Sequence, residues 1–111
     1  MIRLLRVNNT VLAPADAGHR AELTSLLARM EGLYGAGKDC GPDGKGKCRD
    51  LEALEKVMDR SRDPKALLDA WSGWHAVGRQ IRPLYERFVA LANEGARDNG
   101  FADPGALWKS A

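Results

Sequence analysis

The sequence predicts an all-α fold: a fragment of a helical hairpin or bundle built around one long helix. Three observations carry that prediction. Apolar residues recur at helical steps in three segments, Asp or Asn punctuation marks most helix ends, and apolar/polar alternation of the strand type is absent. One further segment, a glycine-rich loop holding both cysteines, interrupts the helices.

The residues up to Ala15 form a leader ending in Leu12-Ala13-Pro14-Ala15, where Pro14 disfavours helix at Ala13. A helix is expected over about residues 16–34, with Leu23, Leu26, Leu27, Met30 and Leu33 on one side. Arg20, Glu22, Arg29 and Glu31 fall largely on the other. Residues 35–48 contain five glycines and a proline, which rules out regular structure and leaves a tight polar loop. Asp50 then caps a short helix, 51–60, whose inner side is Leu51, Leu54, Val57 and Met58.

The longest element is expected over about residues 64–99. Asp63 caps it and Pro64 occupies the first helical position, where no amide hydrogen is needed. Leu67, Trp71, Trp74, Gly78, Ile81, Tyr85, Phe88 and Ala92 recur at steps of four and three, so they share one stripe. Asn99-Gly100 is the stop signal. Asp103-Pro104 repeats the start signal, and Ala106, Leu107 and Trp108 open a last helix just before Ala111. A capped helix ended so soon is the expectation of a truncated chain.

At 111 residues the chain has room for one domain, which buries roughly 65% of the surface its unfolded form exposes. Hydrophobic residues at 44% and charged residues at 29% match ordinary soluble composition, and no apolar run is long enough to span a membrane. The start, MIRLLRVNNTVLAPAD, is a poor secretory signal, so the chain as written is expected in the cytoplasm. Net charge is only +2 with the signs interleaved, which argues against nucleic acid as a partner. Arg79, Arg82 and Arg87, diluted by Glu86, read as a solvated face or as salt-bridge partners.

The cysteines leave three alternatives: a small disulfide, half of a metal site, or two unrelated thiols. Neither His19 nor His75 stands at a metal-ligand spacing from Cys40 or Cys48, so metal is the weakest. A disulfide closing this loop stabilises by about 2–3 kcal/mol on loop-entropy reasoning and requires an oxidising compartment. The loop thus points outside the cytoplasm while the leader does not. His75, one residue off the apolar stripe, has no nucleophile placed to use it. Glu31, Glu52, Glu55 and Glu86 are ordinary helix-surface carboxylates, and Trp71 and Trp74 read as core. No catalytic residue is assigned, and no phosphate loop, H-E-x-x-H or nucleophile elbow occurs.

The order of features is more specific than any one of them. Leu-Ala-Pro-Ala, Met30-Glu31, Tyr34, the cysteine loop, Leu51-Glu52, Val57-Met58, Ser61-Arg62, Trp71-x-Gly-Trp74, Tyr85, Asn99-Gly100-Phe101 and Trp108 follow in sequence. This series resembles the N-terminal helical region of the angiotensin-converting-enzyme family of zinc peptidyl-dipeptidases (M2), in a bacterial version. The resemblance implies a mostly helical enzyme several times longer, periplasmic or secreted, that removes C-terminal dipeptides with zinc held by H-E-x-x-H and a downstream glutamate. None of those residues is present, so residues 1–111 are expected to be a single partial domain that binds no cofactor itself.

By the same resemblance Cys40 and Cys48 form a structural disulfide, and Glu52 stands near the substrate channel. His75 replaces an arginine that helps bind chloride in chloride-activated members, a departure that weakens any such site. The implied partner is the rest of the peptidase domain, and a peptide substrate enters only with it. The alternative is a stand-alone helical interaction module using Trp71 and Trp74. On the fragment reading the isolated chain exposes apolar area and is expected to aggregate, oligomerise or pack loosely.

Overall fold

The computed structural model describes residues 10–110. It contains four helices among them: α1 (Ala17–Ala36), α2 (Leu51–Arg60), α3 (Pro64–Asp98) and α4 (Pro104–Lys109). There is no strand among the described residues beyond an isolated antiparallel bridge between Asp39 and Arg49. The first nine residues of the leader and Ala111 lie outside the described residues.

Each boundary follows from local chemistry. The Asp50 carboxylate accepts from the Ala53 amide at 2.9 Å and starts α2. Asp63 accepts from the Lys65 amide at 3.1 Å, next to Pro64. The stop of α3 is a Schellman turn: Phe101 N–H reaches the Ala96 carbonyl at 2.9 Å and Gly100 N–H the Arg97 carbonyl at 3.0 Å. That turn needs a left-handed residue, and Gly100 has φ 87°. Asp103 caps α4 through the Ala106 amide at 2.7 Å. Pro83 lies within α3, where it withholds an amide from the Arg79 carbonyl and thins the ladder by one bond.

The chain forms two compact units, and α1 and α3 contribute to both. One comprises residues up to 28 together with those from 84 onward; the other is 29–83. The first is built on Leu23, Leu26 and Leu91, with Val11, Leu84 and Phe88 packed against them. Its strap, residues 10–15, crosses α3 closely enough that a Cβ at Gly95 would collide with the Leu12 carbonyl oxygen. Pro14 is fully buried there. The second unit buries Leu54, Ala70 and Val77.

The expected stripe of α3 is corrected. Trp71 and Tyr85 are about half exposed, at 52% and 54%, and Gly78 is exposed, whereas Ala70, Val77 and Leu91 are buried. At about 100° per residue, the inner line through 70, 77, 84, 88 and 91 is rotated roughly 75° from the expected one, of which Ala92 is also buried and Phe88 is shared. The apolar arc of α3 is wide enough to hold two lines, and the small residues allow the closer approach. Leu27 and Met58, expected inside, are also exposed, at the margins of their helices' buried faces.

Candidate functional site

The second unit carries an apolar groove of about 290 Å³ between α2, α3 and the end of α1. Leu54 and Ala70 form its floor; Tyr34, Met58, Trp71 and Trp74 form its walls. The helical steps of α3 place Trp71, Trp74 and His75 along one side. Trp74 meets the Tyr34 ring edge-on, with centroids 5.3 Å apart and planes at 82°. His75 stacks on Trp71 at 3.7 Å and 24°. Its Nδ1 donates to the Trp71 carbonyl at 2.7 Å, which places a hydrogen on that nitrogen. Among the described residues, Glu55 is the one carboxylate lining it. An aromatic recess with one histidine and one carboxylate can bind apolar groups; among the described lining residues there is no serine or cysteine nucleophile.

The loop beside this groove is closed in three concentric layers. Cys40 and Cys48 form a disulfide with Cα atoms 4.0 Å apart, which fixes the alternative that spacing alone left open. Outside it, Asp39 and Arg49 exchange backbone hydrogen bonds of 2.8 and 2.7 Å. Their side chains also pair, and the Arg49 guanidinium bridges from Asp39 to Asp69 of α3, 2.8 Å away. Gly73 lets the Asp39 carboxylate approach α3, because a Cβ there would collide with it.

Arg49 holds the Asp39 carboxyl below the usual carboxylate range, aided by the Gly41 amide. The two carboxylates raise the Arg49 guanidinium in turn. The stabilisation from Asp39 is therefore present above the ordinary aspartate range and lost as pH falls through its depressed value.

The residues singled out in the sequence are only partly brought together. His75 lines the groove, and the disulfide closes the loop. Glu52 lies on the exposed side of α2 and pairs with Lys56 one turn on, at 2.8 Å. Trp71, expected in the core, is a groove wall with its outer face open. Asp39, Arg49 and Asp69, which lock the loop to α3, were not legible, since their partners are 10 to 20 residues away. The one available signal was Gly73, a small residue held between two tryptophans.

Among the described residues no group of three or more His, Cys, Asp or Glu is placed to hold a metal ion. His19 faces the single carboxylate Glu94, and His75 faces an indole. No helix among the described residues is long and apolar enough to cross a membrane.

The described residues thus form a helical protein with a disulfide-locked loop and exposed aromatic side chains. Sequence comparison matches residues 1–111 to the family model described as angiotensin-converting enzyme, peptidase M2. The chain is 43% identical over 103 residues to the angiotensin-converting enzyme of Oryctolagus cuniculus, covering 89% of this chain and 8% of that protein. It is 41% identical over 114 residues to that of Rattus norvegicus, covering 97% and 9%. It is 47% identical over 110 residues to the angiotensin-converting enzyme-like protein Ace3 of Mus musculus, covering 97% and 14%. The chain belongs to the angiotensin-converting-enzyme family. It spans about a tenth of the length of these mammalian relatives.

Proposed function

We propose that this chain is the N-terminal helical scaffold of a zinc peptidyl-dipeptidase of bacterial type, contributing framework and channel lid and inert by itself. The observation that carries this reading is the family match along the whole chain, against a span of 8–14% of the relatives' length. The exposed Tyr34, Met58 and Trp71 of one unit and Tyr85 and Trp108 of the other support it, because exposed apolar side chains of this size are what a larger domain covers. The bacterial assignment rests on the sequence resemblance. Zinc, any chloride, and the peptide substrate belong to the remainder of the peptidase domain, which is the chain's partner on this reading. Glu52 lies toward the substrate channel, and His75 in place of arginine weakens an anion site. The Cys40–Cys48 bridge supports an oxidising compartment, in line with a periplasmic or secreted enzyme.

The test is direct. Purified chain titrated with zinc should give no stoichiometric binding, and a peptide with a free C-terminus should remain intact in its presence. Zinc-dependent release of dipeptides would overturn the scaffold reading. The stand-alone module is favoured by one observation, the open Trp71/Trp74 groove. Genomic sequence beyond the Ala111 codon separates the two: a continuation encoding H-E-x-x-H supports the enzyme, and its absence supports the module.

A further inference from the structure

In the first unit a histidine and a carboxylate stand at the junction that holds the strap. His19, in the first turn of α1, directs Nδ1 to both carboxylate oxygens of Glu94 on α3, at 2.9 and 2.7 Å. The Asp16 carboxylate accepts from the His19 amide at 2.8 Å and fixes the turn that presents the imidazole. Upstream, beside the apolar packing of Val11 and Pro14, the strap is held on α3 and α4 by polar contacts. Ala15 N–H donates to Asp98 at 2.8 Å, Asn99 reaches the Ala13 carbonyl at 3.4 Å, and the Trp108 indole N–H reaches the Thr10 carbonyl at 2.7 Å. Glu94 immediately precedes Gly95, the residue whose missing side chain admits the Leu12 carbonyl. The ion pair and the strap's tightest crossing are therefore consecutive on α3.

We infer that His19 and Glu94 form a proton-operated latch that pins residues 10–15 onto α3, closed when the imidazole is protonated and loosened when it is neutral. A protonated ring turns the contact into a charge-assisted pair, whereas a neutral ring leaves one ordinary hydrogen bond to a carboxylate. Neighbouring charges set its balance. Glu94 on α3 favours the charged ring, Asp16 adds to it, and Arg87 on α3 opposes it. Arg87 is itself engaged by Glu22 of α1 through two bonds of 2.7 and 2.8 Å, which blunts its opposition. Arg20 is turned to the carbonyls of Pro14 and Ala15, and Asp98 to the Ala15 amide.

The direction of the effect follows. The Glu94 hydrogen bond raises the His19 imidazole above its ordinary value, against a smaller opposing effect of burial. A raised histidine contributes stability that is complete below the unfolded-state value, near 6.5, and is lost as pH rises through the folded-state value. The latch thus closes as pH falls through the raised His19 value and is fully closed below the ordinary histidine range. Below that range Asp16, whose carboxyl is lowered mainly by the His19 amide, loses its own contribution as it protonates.

The experiment is an NMR titration of the whole chain between pH 5.5 and 9, following the His19 ring protons and exchange of the Trp108 indole hydrogen. In the wild type, indole protection, corrected for the intrinsic rise of exchange with pH, should fall several-fold across the His19 midpoint. Glu94→Gln should shift that midpoint down and flatten the pH dependence of protection. His19→Gln, which keeps a neutral donor, should remove the step at the same pH while leaving the fold's far-UV signature. A His19 midpoint unchanged by Glu94→Gln, or wild-type indole protection that does not follow His19, would overturn the latch. Because the readout is local protection in this chain, its outcome is independent of whether the chain belongs to a peptidase.

Discussion

The two compact units are held together by different physics. The unit built from residues up to 28 and from 84 onward has a small leucine core, a strap seated over Gly95, and cross-helix ion pairs. The unit of 29–83 buries fewer large side chains, and it closes its loop with a covalent bond and a three-charge cluster. A short chain with limited core volume can obtain order from side-chain burial or from cross-links. The first unit leans on burial and the second on cross-links. The same division separates their response to pH: the His19 contribution is lost toward alkaline pH, and the Asp39 contribution only in acid.

The largest expected effect breaks the first unit. Leu91→Ala removes a side chain that is 1% exposed, at a cost of about 2–5 kcal/mol. Urea unfolding followed by Trp108 fluorescence, in a background where Trp71 and Trp74 are phenylalanine, should show the loss. An unchanged midpoint would mean that the leucines do not carry this unit. Next, Cys40→Ser with Cys48→Ser should cost about 2–3 kcal/mol on the entropy of a loop this short. The loss should be read by Trp74, with Trp108 little affected. An equal response of both reporters would erase the contrast between the units.

The smallest effects sharpen the comparison within α3. Gly73→Ala sets a methyl group against the Asp39 carboxylate, and overpacking of about 1–3 kcal/mol outweighs a helix-propensity gain of about 1 kcal/mol. Gly78→Ala meets nothing within 4 Å and should stabilise by about 0.5–1 kcal/mol. Opposite signs from two glycines five residues apart on one helix would be a direct measure of the Asp39 contact. Matching signs in thermal melts of the two variants would remove Asp39 from the account.

Much of the fold was legible before any coordinates. Asp50, Asp63 and Asp103 mark helix starts because a short carboxylate satisfies amides that the helix leaves unpaired, a purely local matter. Asn99-Gly100 stops α3 because the turn needs a left-handed residue. The candidate site was legible in part. His75 was placed on the correct helix, but the exposure of Trp71 was not anticipated, since the apolar arc of α3 admits two registers and sequence periodicity ranks residues by hydrophobicity alone.

The sequence by itself determined the helix boundaries, the irregular loop, and the family, because those depend on local backbone chemistry and on the order of motifs along the chain. Only the tertiary structure decided which line of α3 is buried, that Arg49 ties Asp39 to Asp69, and that His19 meets Glu94 across 75 positions. Those contacts depend on how closely two helices approach, and that distance is set by which small residues face each other rather than by any periodicity a single segment displays.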